Sequence, residues 1–156
     1  MKTINNFIIE KLNKISSKNS TIYTYHPKNK EELRDILKER LQKDKNANLN
    51  DIDVSLITDM NYLFYDLDPH NIDISEWDIS NVKNMTEMFS GCKNFNSDLS
   101  EWDVSNVKDM FYMFDCCYKF NCDLNNWDIS NVKDKRGIFH NCESLQIPKW
   151  SDIYKR

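Results

Sequence analysis

The chain has 156 residues, of which 29% are charged and 12% aromatic, and its net charge is −4. That length is one domain's worth, and two glycines and three prolines leave little for long linkers or disorder. No run approaches the ~20 apolar residues that a membrane-spanning helix needs, and Glu10, Lys11 and Lys14 interrupt Phe7-Ile8-Ile9 before an export signal can form, so the expected location is cytoplasmic.

The first fifty residues read as an N-terminal cap of helix, strand and helix. Ile4, Phe7, Ile8, Leu12 and Ile15 recur at helical spacing and predict an amphipathic helix over 4–16. Polar residues 16–20 end it. Residues 21–25 alternate and predict a strand that pairs with the first repeat strand, closed by His26-Pro27. Asn29 with Glu32 resembles a capping box and opens a second helix to about Lys43, with Leu33, Ile36, Leu37 and Leu41 facing inward. Residues 43–50 are a polar connector.

From Asp53 onward a unit of 25 residues is written four times. Asp53, Asp78, Asp103 and Asp128 hold the period, as do Ile57, Val82, Val107 and Val132, and Phe64, Phe89, Phe114 and Phe139. A fixed period of that length predicts stacked units that bury their apolar faces against one another. Within a unit, Trp102 and Val104 alternate with Glu101, Asp103 and Ser105, which predicts a strand with one buried face. Asp-x-Ser-Asn is turn chemistry. Val107, Met110, Met113, Phe114 and Cys117 predict the inward stripe of a short helix or 3₁₀ segment. The expected architecture is α/β: a short leucine-rich-repeat-like solenoid of four units, with a parallel sheet of ~4.8 Å strand spacing on one face and an α-helical N-terminal cap. Residues 1–50 are the cap, 51–147 the repeats and 148–156 a C-terminal cap or tail, all in one structural domain. Lys135 and Arg136 in the last unit, and Pro148 and Trp150 after it, break the pattern as a terminal unit should.

The unit Trp-Asp-Val-Ser-Asn-Val-x-x-Met-x-x-Met-Phe-x-x-Cys resembles the repeat of BspA-like leucine-rich-repeat proteins, shared with mycoplasma surface lipoproteins. Residues 25–33 and 49–53 resemble the lead-in before their first repeat. The resemblance spans roughly residues 24–147. It implies a leucine-rich-repeat-like fold, often displayed at the cell surface and associated with adhesion, and it carries over no catalytic residue.

Charge is divided along the chain. Residues 51–147 carry a net −11 and residues 1–50 a net +5. An acidic repeat surface disfavours nucleic acid and favours a protein partner with a basic surface. The candidate partner-binding residues are Asp53, Asp78, Asp103 and Asp128, with Glu76 and Glu101 beside them. Two readings of the Asp column stand together. Either it grips a basic partner, or each carboxylate caps its own Asp-x-Ser-Asn turn; a straight ladder lacks the enclosing 6–8 ligands that Ca²⁺ wants. Phe111, Tyr112 and Tyr118 depart from the polar choices of their neighbours and form a candidate aromatic patch. Trp77, Trp102 and Trp127 fall on the inward side.

Cys92, Cys117 and Cys142 share a repeat position that Leu67 fills in the first unit, so they are read as buried thiols. No Cys-x-x-Cys pair supports zinc. His26, His70 and His140 lie in unrelated contexts, and no phosphate loop or nucleophile elbow occurs. No cofactor, metal or catalytic residue is expected. The functional expectation is a non-catalytic protein–protein interaction module of the adhesion type; the alternative is an intracellular inhibitor or immunity-type protein that masks a basic partner.

Overall fold

Where one unit meets the next, every second backbone N–H crosses the junction. Met60, Tyr62 and Phe64 donate to the carbonyls of Asn84, Thr86 and Met88 at 2.9–3.0 Å. Met85, Glu87, Phe89 and Gly91 do the same to Asp109, Phe111, Met113 and Asp115 at 2.8–2.9 Å. The N–H groups between them turn back inside their own unit: Leu63 donates to Met60 O (3.2 Å) and Leu67 to Phe64 O (3.0 Å). This division is seen in a computed structural model that describes residues 22–151. The helix expected over 4–16 lies outside those residues, as does the tail from 152.

The intramolecular bonds close two successive four-residue turns, and the third residue of each is left-handed. One column is Tyr62, Glu87, Tyr112 and Gly137, with φ between +49° and +64°. The other is Asp66, Gly91, Cys116 and Asn141, with φ between +57° and +76°. A positive φ at that position is the mark of a type II turn. It costs a residue with a Cβ ~1–2 kcal/mol, and both glycines of the chain stand in these columns.

These facts overturn the expected α/β architecture. Among the described residues there is one helix and no strand, so neither the parallel sheet nor the leucine-rich-repeat-like solenoid built on it is formed. Parallel pairing is reduced to isolated bridges, which run Asp59–Asn84–Asp109–Asp134 across the four units and add Tyr25–Ile52 and Asn48–Asp73 at the cap. The stripe Val107, Met110, Met113, Phe114 and Cys117 is buried, but a left-handed residue within every turn stops it from becoming a helix. Tandem turns share the three-residue rhythm of a 3₁₀ segment, which is why the spacing misleads. Around Trp102 the expected burial alternation is present, with Trp102 and Val104 buried and Glu101 and Asp103 exposed. Side chains take the place of a sheet ladder there. The indoles of Trp77, Trp102 and Trp127 donate to the carbonyls of Leu49, Ile74 and Leu99 at 3.0–3.1 Å. Asn81, Asn106 and Asn131 amides donate to Ser55, Ser80 and Ser105 carbonyls at 2.7–2.9 Å.

The core is an aromatic column. Phe64, Phe89, Phe114 and Phe139 stack at centroid spacings of 5.0, 5.5 and 5.9 Å. Phe95 and Phe120 lie against it at 4.1 and 4.3 Å from Phe89 and Phe114. Burying each such ring is worth roughly 1.5–3 kcal/mol. The thiols of Cys92, Cys117 and Cys142 are free, buried, and aimed at the carbonyls of Phe64, Phe89 and Phe114 at 3.4, 3.0 and 2.9 Å. Burial pushes all three thiols up, Cys142 to about 12.

Each end is closed differently. Helix α1 (Lys30–Lys43) is capped by Asn29, whose side chain accepts from Glu32 N at 2.9 Å, and it buries Leu33, Leu37 and Leu41. Ile36 is partly buried against the core. The Glu32 carboxylate reaches back one residue beyond the cap, to Lys28 N at 2.8 Å. From α1, Arg34 donates to the carbonyls of Tyr62 (2.7 Å), Leu63 (2.6 Å) and Tyr65 (2.6 Å). In every later unit the carbonyl equivalent to Leu63 O accepts from the unit before it. Arg34 thus supplies the donors of a missing unit, whereas Lys45 reaches Leu67 O, whose equivalents Cys92 O and Cys117 O accept from Phe95 N and Phe120 N inside their own units. At the other end Trp150 is not out of register in role. It lies 5.6 Å from Phe139 and donates to Leu124 O at 2.7 Å, as Trp127 does to Leu99 O.

Arg34→Met keeps the apolar stem and removes the forked donors. It is expected to lower stability by about 1–3 kcal/mol, which corresponds to ~2–4 °C of melting temperature per kcal/mol at this size. Arg34→Lys should recover only part, since an ammonium cannot fork across three carbonyls. Thermal melts followed by circular dichroism check both.

Candidate partner-binding surface

Each Asp of the candidate column folds back on its own turn before it can meet anything else. Asp53, Asp78, Asp103 and Asp128 accept the N–H of Ser55, Ser80, Ser105 and Ser130 through Oδ1 at 3.0–3.1 Å. The turn-capping role is therefore present at all four positions. The bond engages one oxygen, so it leaves the net charge in place. Asp53 also receives the Ser55 hydroxyl at 2.7 Å and faces His26 at 3.5 Å. Asp53 and Asp78 are half-buried, whereas Asp103, Asp128, Glu76 and Glu101 are exposed.

A second column does the same work where the chain enters the Trp-bearing segment. Asp73, Asp98 and Asp123 accept the N–H of Ser75, Ser100 and Asn125 at 3.2, 3.0 and 2.9 Å. Sequence reasoning missed a third. Asp59, Asn84, Asp109 and Asp134 accept the N–H of Asn61, Thr86, Phe111 and Arg136 at 2.9–3.1 Å, and they are the bridge residues that join the units. Their 25-residue spacing with an Asx side chain was the available signal. The exposed Lys83, Lys108 and Lys133 were also missed. Each directly precedes a residue of this third column in the chain.

Backbone N–H donation holds several carboxyls below the usual carboxylate range. Ser100 N–H does this for Asp98, Asn125 N–H for Asp123, and Ser130 N–H for Asp128. For Asp134 the first cause is the Arg136 side chain, bonded at 2.6 Å, which brings it to about 2.

The aromatic residues divide. Phe111 and Tyr112 meet edge to face at 4.6 Å, and the Arg136 guanidinium sits 5.2 Å over Phe111. Tyr112 also meets His140 at 5.7 Å, and His140 Nδ1 lies 2.7 Å from Asp115. Tyr118 is drawn to the Cys116 thiol, which raises its hydroxyl's pKa, and among the described residues it makes no ring contact with Phe111 or Tyr112. All three rings are half-buried, not the exposed patch expected. Among the described residues the exposed tyrosines are Tyr62 and Tyr65 of the first unit, 42% and 40% accessible and 5.9 Å apart, with Tyr62 Oη donating to Glu87 at 2.8 Å. Tyr62 holds the repeat position of Tyr112, a match visible in the sequence.

Surface depressions are open and polar. One is lined by Asn46, Asn71 and Asn96, of which Asn46 and Asn96 accept the N–H of Asn71 and Asn121 in the next unit. Among the described residues no group of three or more His, Cys, Asp or Glu is placed to hold a metal ion, and no helix is long and apolar enough to cross a membrane.

A family model described as "Mycoplasma protein of unknown function, DUF285" matches residues 31–150. No curated protein matches the chain, and no solved structure does.

Acid should loosen the turns. The shifted carboxyls have folded pKa values below the ordinary ~3.9, so the unfolded chain binds protons more readily. Their stabilisation is complete above that value and is lost as pH falls through the folded values, down to about 2 for Asp134. The melting temperature is expected to drop between pH ~4 and pH ~2, with a shallower slope in Asp128→Asn.

Gly137 is held by packing as well as by φ. A Cβ there would lie 2.6 Å from the Tyr112 ring, at φ +64°. Gly137→Ala is expected to cost about 1–3 kcal/mol. Adding Tyr112→Ala should return the packing part but not the backbone part, so a double-mutant cycle by denaturant unfolding gives a non-zero coupling.

Proposed function

The chain belongs to the family described as Mycoplasma protein of unknown function, DUF285, and from that premise we propose that it is a non-catalytic protein–protein interaction module whose acidic units take a partner with a basic surface. The observation that carries this reading is the column Asp53, Asp78, Asp103 and Asp128 with the exposed Glu76 and Glu101. These residues repeat a negative charge once per unit on one side of the stack, and the turn bond uses only one oxygen of each Asp. Coulomb attraction over such a surface speeds encounter and selects partners by charge. The resemblance of the repeat to BspA-like leucine-rich-repeat proteins favours display at a cell surface and adhesion. The free, buried thiols of Cys92, Cys117 and Cys142 favour the second reading, an intracellular inhibitor or immunity-type protein.

The test uses Asp78→Asn, Asp103→Asn and Asp128→Asn together. Asparagine keeps the side-chain oxygen that accepts the Ser N–H, so the turns survive while three charges go. The parent chain should retain a basic protein from cell lysate or from a surface extract at low salt and release it at ~1 M salt, where the screening length falls to ~3 Å. The triple variant should bind the isolated partner about tenfold more weakly or worse. Equal binding by the variant, with its melt unchanged, removes the acidic column from the interface. Whether the partner comes from the lysate or the surface extract separates the two readings.

A further inference from the structure

The stack has a direction. Met110, Tyr112, Phe114 and Cys116 donate their N–H groups to Asp134, Arg136, Ile138 and His140 at 2.8–3.0 Å, just as the units before them donate forward. The equivalent donors of the last unit are the N–H groups of Lys135, Gly137, Phe139 and Asn141. Among the described residues none of these four donates to an acceptor. Trp150 packs on the Phe139 ring and donates to the Leu124 carbonyl, and gives these four N–H groups no acceptor. The two ends are therefore opposite in chemistry. The first unit presented carbonyls, which α1 has closed with Arg34. The last presents donors.

We infer that the N–H row of Lys135, Gly137, Phe139 and Asn141 is a docking edge for a peptide segment of another protein that takes up the tandem-turn form of residues 109–115, lying parallel to residues 135–141 and offering alternate main-chain carbonyls. Donor–acceptor polarity names the occupant. Residues 109–115 and 134–140 show the form that fits: tandem turns that set the carbonyls of i, i+2 and i+4 against the donor row of the unit before. A second copy of the chain does not fit. Its like end also presents donors, and its carbonyl end is shut by Arg34 and α1. Arg136 is paired with Asp134, which leaves Lys135, at the edge, to favour a segment carrying Asp or Glu. This edge lies apart from the acidic column and does not depend on it.

The experiment follows backbone amides by ¹⁵N nuclear magnetic resonance on the full chain. The probe is an acetylated, amidated peptide of residues 107–117 with Cys116→Ser and Cys117→Ser, which carries the carbonyls of Asp109, Phe111, Met113 and Asp115 that accept inside the stack. In the free chain the amides of Lys135, Gly137 and Asn141 should exchange with solvent faster than those of Met110, Tyr112 and Cys116. Peptide should shift the edge amides and slow their exchange. A semisynthetic chain joined at Cys122, with Gly137→sarcosine, keeps a residue able to adopt φ +64° but lacks the N–H. It should bind the peptide about tenfold more weakly, or worse. The inference falls if the free edge amides are as protected as their counterparts, since the chain then covers its own edge. It falls too if the peptide shifts other residues, if the sarcosine chain binds equally with its remaining spectrum intact, or if sedimentation finds a dimer whose formation protects these amides.

Discussion

The alternate main-chain bond across each junction is the constraint on which the rest depends. Once Met85, Glu87, Phe89 and Gly91 commit their N–H groups to the next unit, the intervening ones must be satisfied at home. A buried amide without a partner costs ~1–3 kcal/mol, so the chain closes tight turns. Tight turns of this kind need a left-handed residue, and the fold accepts one at every fourth position through this stretch. The same bond decides the ends. A stack that donates forward begins with unmet carbonyls, and Arg34 of the basic N-terminal cap reaches two of those oxygens, on Leu63 and Tyr65.

The repeat, its core positions and the second helix were legible in the sequence, because spacing alone reports which residues are equivalent. Trp77, Trp102 and Trp127 are buried as expected, Cys92, Cys117 and Cys142 form the interior thiol row, and Asn29 caps α1. What spacing does not report is how the backbone gets from one buried residue to the next. Met110 and Met113 suit a helix, a 3₁₀ segment and a four-residue turn equally, and the choice lies in φ at Tyr112, where Glu87 in one unit and Gly137 in another give no common residue type to read. Trp102 and Val104 alternate as a strand would, but indole and amide side chains bridge this side of the stack in place of the sheet ladder. Trp150 looked misplaced because two residues are missing before it; its indole reaches the same kind of carbonyl all the same.

The candidate surface shows one residue type serving two ends. Asp at the turn is demanded by local chemistry, since a short side chain with an acceptor oxygen must reach an N–H two residues on. Repetition of that local demand then builds a charged stripe without any further selection for it. A stripe produced this way is regular in spacing and fixed in orientation, two properties a partner can exploit.

The buried thiol row also makes the molecule its own gauge of opening. Cys92, Cys117 and Cys142 each lie in a different unit, tied to a carbonyl of the preceding one, and burial keeps them protonated at neutral pH. A thiolate is the species that alkylating reagents and disulfides attack. Each of these cysteines can therefore react only when its own junction has parted. The order in which an alkylating mass tag reaches the three is a record, read unit by unit, of which junction gives way first.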